Sequence, residues 1–526
     1  PRTSETAVNI VKVGSGKIAA KYLTNPDRVT GGLGTGVFGP VATAAEFSIP
    51  VVMTRDASEV GLYILTGGQQ RSMMGIAPID EGDAPESYGD AFHMISTKNG
   101  LTGAEVNQPY LGSERPDMDT NNTKDWLGDD KSPEANNDPH ADEGIKQILP
   151  DNLKNVDREI IKLDRTNGNY TYSLDIQAHT GGAPQAHIYG WIDFNNNGKF
   201  DEDERSELAT ITNDSTVTLH FNRSFTEVDP KLVELGTRVR IATNAKEIEK
   251  PTGVAFSGEV EDFKTQITHP PRGEQVRTED RPRITQSGHI TFTALGKVAY
   301  KVTEDAEIRT DIPPVYIDNK TGHPITLPAD GIYTVAGQGT YKITLAANNK
   351  DVDVQFTPED GFVGEAHGIT IRRQDTNDAT TGWINRNTNT SMDGLYIPKV
   401  VVTGKSENAS SSNLQGLSQS GTPVFRGEWN NNPATPTATN PAKLVDPRTN
   451  EVTGATTVDA LDSNNNKIGT YTIEPTSGKV TFTPKKDFTG TPIPAIVSLD
   501  LVDGHDKDGQ PATTLIRAKY SPSVIP

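Results

Sequence analysis

Residues 469–484 read GTYTIEPTSGKVTFTP, and their order decides the fold. Tyr471 and Ile473 alternate with Thr470, Thr472 and Glu474; after Pro475-Thr476-Ser477-Gly478, Val480 and Phe482 alternate with Lys479, Thr481 and Thr483. A period of two sends every second side chain to one face, as in a strand with one buried side. Gly478 marks the turn between two such strands, and Pro484 ends the second by removing a ladder donor. This is an antiparallel hairpin of a β-sandwich.

Reading outward, Gln419-Ser420-Gly421 precedes the hairpin, while Phe488-x-Gly490 and Tyr520-x-Pro522-x-Val524 follow it. The same markers occur earlier in the same order: Gln286-Ser287-Gly288, Phe356-Thr357-Pro358, Phe362-x-Gly364 and Tyr396-x-Pro398-x-Val400. Offsets of 133 at Gln-Ser-Gly, 126 at Phe-Thr-Pro and 124 at Tyr-x-Pro drift only slightly, which is the signature of two related units with loops of different length. They span residues 269–403 and 404–526, with a Ser/Asn-rich lead-in at Ser406–Ser418. The Gly-x-Tyr-Thr-[Ile/Val] segment, Phe-Thr-Pro-x-x-x-Phe-x-Gly and the closing Tyr-x-Pro-x-Val resemble the CshA-type fibril repeat of Gram-positive surface adhesins. The resemblance implies a stalk of stacked repeats that carries a terminal binding region away from the cell wall. The first unit departs from the pattern: Gly331 to Phe356 is longer than Gly469 to Phe482, and Trp383 sits in an Asn-rich insertion.

The first half alternates in the same way. Tyr172, Leu174, Ile176 and Ala178 form one run, Val217, Leu219 and Phe221 another, and Val239 and Ile241 lie between Arg238 and Arg240. With 48 Gly and 35 Pro in 526 residues, long helices are excluded. Helix is expected only in fragments such as 142–149 or 229–235. The fold class is therefore all-β, with multi-domain antiparallel β-sandwiches: a head followed by two tandem β-sandwich repeats. Residues 1–78 carry strand-like runs at 45–54 and 60–66 and are too few for a core of their own, so they are expected to belong to a lectin-like sandwich.

Fifty Lys and Arg against seventy Asp and Glu give a net charge of −20, and no basic cluster is present for nucleic acid or anionic lipid. No apolar run is long enough for a membrane span. The chain has no cysteine, which excludes disulfide scaffolds, thiolate zinc and cysteine nucleophiles. There is no Gly-x-Ser-x-Gly elbow and no His-Glu-x-x-His, and the ten histidines are scattered. A non-catalytic protein is expected; an extracellular carbohydrate-active hydrolase is the one enzymatic alternative that the many acids leave open.

Two groups of acids suggest cations. In Asp193-Phe194-Asn195-Asn196-Asn197-Gly198-Lys199-Phe200-Asp201-Glu202-Asp203-Glu204, oxygen donors fall at Asp193, Asn195, Asn197, the Lys199 carbonyl, Asp201 and Glu204. These occupy places 1, 3, 5, 7, 9 and 12 of a calcium loop, with Gly198 at the sharp turn. A strand precedes the loop, so calcium would be held in a β context. A plain β-hairpin turning at Asn197-Gly198 is the other reading, and the two can coexist. The acidic belt between Gly112 and Gly144 repels itself unless cations or arginines bridge it. Asp83, Asp119, Asp130, Asp142, Glu143 and Glu261 are thus a possible second cation cluster, with a solvated acidic loop as the alternative. Trp126 within this belt is either a ligand-contacting ring or a loop anchor, and Trp191 alternates into a strand core.

The same region, about 79–268, resembles the GEVED domain of bacterial surface and secreted proteins. The resemblance rests on Gly82-Asp83-Ala84-Pro85, Ser87-Tyr88-Gly89, Leu127-Gly128-Asp129-Asp130, Asp142-Glu143-Gly144-Ile145, Tyr189–Asn195 and Gly258-Glu259-Val260-Glu261-Asp262-Phe263. It implies an all-β extracellular module without fixing a ligand.

The two resemblances together imply a bacterial cell-surface adhesin fragment, cell-wall attached in its full-length form. Its head would bind a host extracellular-matrix glycoprotein or glycan, and its repeats would form a monomeric stalk. A structural stalk or surface-layer segment with no ligand beyond calcium is the alternative.

Overall fold

In the computed structural model, residues 171–526 are described throughout, as are most of 79–116, positions 124, 126 and 145, residues 160–166, and the short strands Gly16–Ile18 and Val51–Met53. Among the described residues the chain is built of strands, with short 3-10 turns and no α-helix. Two compact units result: Pro1–Pro271 with Ala294–Glu307 and Asp375–Ser391, and Arg272–Thr293 with Ile308–Gln374 and Met392–Pro526.

The first unit contains a five-stranded sheet in the order Ala209–Ile211, Ala186–Ile192, Glu234–Ala242, Glu259–Gln266, Ile161–Lys162. A second sheet pairs Ser215–Ser224 with Thr171–His179 and Tyr110–Leu111. The two pack face to face at Gly190, where a Cβ would lie 2.9 Å from Leu219 and 3.3 Å from Phe221. The alternating residues of Thr171–His179 behave as their pattern requires: Tyr172, Leu174, Ile176 and Ala178 are buried, and Asp175 and Gln177 are exposed. A small sheet of Ile79–Glu81, Ala91–Met94 and Gly253–Ala255 completes the unit.

The second unit holds two sandwiches of the same topology. In one, Gln286–Ile290, Val352–Pro358, Gly339–Leu345 and Ile332–Val335 form a four-stranded sheet; in the other, Gln419–Gly421, Lys479–Pro484, Lys467–Glu474 and Thr457–Leu461 do so in the same order. The hairpin expected at 469–484 is present, with Gly469 opposite Pro484 and Tyr471 opposite Phe482. Each opposing sheet contains one pair that alternation alone does not reveal: Gln275–Asp280 runs parallel to Gly394–Val400, and Ala409–Leu414 runs parallel to the end of Pro511–Ile525. First and last strands meet in parallel because the chain crosses between sheets several times before closing.

One local expectation fails. Residues 229–235 are not a helical fragment: Lys231 N–H bonds Asp229 Oδ1 at 2.9 Å, Leu232 N–H bonds the Asp229 carbonyl at 3.0 Å, and the strand Glu234–Ala242 begins directly. The Asp229-Pro230 pair makes a turn whose side-chain bond competes with helix. The 142–149 fragment and the 60–66 run lie outside the described residues, apart from Ile145.

Candidate functional site: the acidic loop of the first unit

Residues 193–204 leave the end of the strand Ala186–Ile192 and return to it. Ser206 N–H bonds the Gly190 carbonyl at 2.8 Å, and Ala209 and Ile211 then pair with Ile188 and Ala186. A hairpin therefore holds the loop, but the connection is a twelve-residue excursion and not a tight Asn-Gly turn. Asn196 and Gly198 take positive φ, 54° and 80°, which lets the chain curl inward.

Hydrogen bonds tie the loop's side chains together. Asp193 Oδ1 accepts from Asn197 N–H at 3.0 Å and Oδ2 from Gly198 N–H at 2.9 Å. The Asn195 and Asn197 amides both donate to Asp201 Oδ2, at 3.1 and 2.7 Å. Glu204 reaches back to Asp201 N–H at 3.0 Å and Asn195 N–H at 3.3 Å. Asn197 Oδ1 takes Lys199 N–H at 2.9 Å.

Asp193 and Glu204 are fully buried, and among the described residues neither is paired with a lysine or arginine. Burial, together with the nearby Asp193 and Asp201 charges, pushes the Glu204 carboxyl up to about 7. Half-buried Asp201 moves the other way, held below its usual range chiefly by the two asparagine amides. Two buried carboxylates without a lysine or arginine partner, held by backbone N–H groups and, at Asp193, by the Tyr88 hydroxyl, make a site where a hard divalent cation would offset buried charge. Among the described residues no three His, Asp or Glu side chains form a metal cluster by themselves. Calcium here would therefore draw on Asn195, Asn197 and the Lys199 carbonyl as well as Asp193, Asp201 and Glu204.

One partner of the loop was not singled out from the sequence. Tyr88 donates its hydroxyl to Asp193 Oδ2 at 2.7 Å, and its ring meets Trp126 at 5.0 Å and Phe200 at 4.7 Å. Its phenol is raised well above the ordinary value, first by burial and then by Asp193. Trp126 is buried in the same cluster as Trp191 and Phe200. Of its two readings, this packing favours the loop anchor.

The second acidic group has a different character. Asp119, Asp130, Asp142 and Glu143 lie outside the described residues. Asp83 and Glu261 are both buried. Acids close to them in the sequence have their partners within the chain. Arg238, wholly buried, makes a two-pronged bond to Asp262 with both contacts at 2.7 Å, and Asp262 also takes Ala84 N–H at 2.8 Å. Lys124 bonds Glu81 at 2.5 Å and lies 3.3 Å from Asp90. Glu259 accepts Leu111 N–H at 2.6 Å. Of the Gly-Glu-Val-Glu-Asp acids, Glu259 thus holds backbone and Asp262 holds both backbone and arginine.

These features define a protein of repeated all-β modules. Residues 268–382 and 400–524 match the family model described as the surface adhesin CshA repetitive domain, and residues 187–266 match that of the GEVED domain. The chain thus carries a GEVED domain ahead of two repeats of the surface-adhesin CshA type. No curated protein matches it. Solved structures with detectable likeness include three N-terminal domains of the bacteriophage RB49 highly immunogenic outer capsid protein, at 10% identity over 70% of this chain and 96% of that one, TM-score 0.20. The N-terminal eight Ig domains of Down syndrome cell adhesion molecule match at 9% identity over 69% and 34%, TM-score 0.22. At such scores neither likeness bears on function.

Proposed function

We propose that this chain is the adhesive part of a bacterial surface fibre. Residues 1–268 form a head that binds a host extracellular-matrix glycoprotein or glycan, and 269–403 and 404–526 form a monomeric stalk that holds it away from a Gram-positive cell wall. The carrying observation is the order of modules: a non-repeated GEVED region ahead of two repeats of a surface-adhesin family. A calcium ion at Asp193, Asn195, Asn197, Lys199, Asp201 and Glu204 stiffens the head, supported by the two buried, unpaired carboxylates. No catalytic step is assigned, since both families are non-catalytic in kind.

The test is binding of the full chain to glycan and matrix-protein arrays, with and without chelator, beside a chain carrying only the repeats. Binding that needs residues 1–268 supports the head. Equal behaviour of both chains, or no binding by either, removes the adhesive reading and leaves a structural stalk segment.

A further inference from the structure

The two repeats differ most in two loops. One follows the strand beginning at Gln286 or Gln419, and the other follows the strand beginning at Ile369 or Ala495. In both repeats the two loops are tied to one another. In the first repeat Asn377 accepts Ala299 N–H at 2.7 Å and donates to the Lys297 carbonyl at 2.9 Å. In the second, Asp503 accepts Glu428 N–H at 2.7 Å and lies so near Gly427 that a Cβ there would fall 2.4 Å from its carboxylate.

What the tied loops touch differs. Within the first unit, the loops of the first repeat meet the GEVED region: Tyr300 N–H bonds Gln266 Oε1 at 2.6 Å, Gln266 Nε2 donates to the Val298 carbonyl at 2.8 Å, and the Trp383 ring meets Phe225 at 5.8 Å. Trp383 also donates to the Pro271 carbonyl at 2.8 Å. The Asn-rich insertion that sets this repeat apart therefore has a place. Within the second unit, the loops of the second repeat meet the first repeat. Val363 N–H bonds the His505 carbonyl at 2.8 Å and His505 N–H bonds the Gly361 carbonyl at 2.7 Å, which extends strand pairing across the joint. Arg283 lies 4.7 Å from the centre of the Trp429 ring while donating to the Glu428 and Trp429 carbonyls, and Arg281 is paired with Glu428. Trp429 Nε1 donates to the Phe362 carbonyl at 3.0 Å.

We infer that the paired loops are the docking face of each repeat, and that the residues they carry select the module ahead of it. A face with Tyr300 and Trp383 accepts a GEVED domain. A face with Glu428, Trp429 and His505 accepts the arginine-bearing end of another repeat. The inference rests on reading 269–526 as two related repeats and is independent of any ligand of the head.

The absence of native cysteine makes the test direct. Thr344 and Thr472, both exposed, are changed to Cys in the full chain and spin-labelled, and the distance between labels is measured. A single narrow distribution is expected. It should be lost in Arg281→Ala/Arg283→Ala and in Trp429→Ala, and kept in Trp383→Ala, whose loop serves the other joint. Circular dichroism melting accompanies each variant, and the two arginines are surface side chains, so their variant reads the joint even if Trp429→Ala fails to fold. A broad distribution in the parent chain, an unchanged one in the arginine variant, or an equal loss in Trp383→Ala would overturn the inference. Failure of the head to bind its ligand would leave this result untouched.

Discussion

Gly421 lies flat against the ring of Tyr520: a Cβ at 421 would come within 2.6 Å of two ring carbons, and Gly288 stands in the same relation to Tyr396, at 2.6 and 2.7 Å. The Gln-Ser-Gly and Tyr-x-Pro markers of the two repeats are thus halves of one packing device. The glutamine completes it. Gln286 donates to the Lys399 carbonyl and Gln419 to the Ser523 carbonyl, at 2.8 and 2.9 Å, while Thr278 and Ser411 bridge each glutamine to its tyrosine hydroxyl. Gly421→Ala should lower the stability of the second repeat by about 1–3 kcal/mol through overpacking, with Gly288→Ala doing the same to the first. Thermal unfolding of each variant checks this, and a melting curve unchanged by either would contradict the packing.

The Arg238–Asp262 pair fixes the GEVED strands from inside. Both side chains are fully buried, and Arg238 also donates to the Gly89 and Pro251 carbonyls at 2.8 Å. Removing one member strands a buried charge, so Arg238→Met should cost about 3–5 kcal/mol in chemical denaturation. The double variant Arg238→Met/Asp262→Leu should recover part of that loss. If the double variant is no better than the single, the cost lies in the carbonyl contacts and not in the ion pair.

How far the sequence carries depends on whether a residue's partner is near it in the chain. Tyr471 and Phe482 declare their pairing through alternation and a turn, and the 193–204 loop is set by its own spacing, so both were legible. The meaning of Asp262 was not, because Arg238, which neutralises it, comes from a neighbouring strand. Within the Gly-Glu-Val-Glu-Asp run, Glu259 and Asp262 are anchors for backbone and arginine, which their order in the sequence does not announce. Trp383 was visible only as an oddity, since its ring contact, Phe225, belongs to a different module. Asp229–Leu235 misled because an Asp-Pro turn and a helix start share the same residues.

His93 gives the head a dependence on acid. It is fully buried, one ring nitrogen lies 2.7 Å from the Ser257 carbonyl, and the other accepts from Arg240 Nε at 3.0 Å. Burial and then the Arg240 charge hold its pKa well below the usual imidazole range, with Arg238 adding in the same direction. The unfolded chain therefore binds a proton that the folded one refuses. Stability from this group is complete above about pH 6.5 and falls as pH drops below it. Melting of the full chain between pH 7.5 and 5 should show that loss, and His93→Gln should flatten the part due to this site. An equally steep decline in the variant would assign the acid sensitivity to other groups.

Calcium should act on the loop through the two buried carboxylates. If the ion binds the folded head alone, stabilisation grows with its free concentration and reaches about 2.7 kcal/mol at a hundredfold excess over Kd. The melting temperature of chelator-treated chain should therefore rise on adding millimolar calcium. Asp193→Asn should remove the rise while keeping the acceptor for Tyr88, and Glu204→Gln should remove it while relieving the burial of a second charge, so the metal-free form of that variant should melt no lower than the parent. These two variants separate ligation from folding: a loop that is only a hairpin would give calcium-independent melting in all three chains. A calcium response that survives in both variants would place the ion elsewhere. Loss of the response in both, with the repeats melting unchanged, would tie the ion to the Asp193–Glu204 loop.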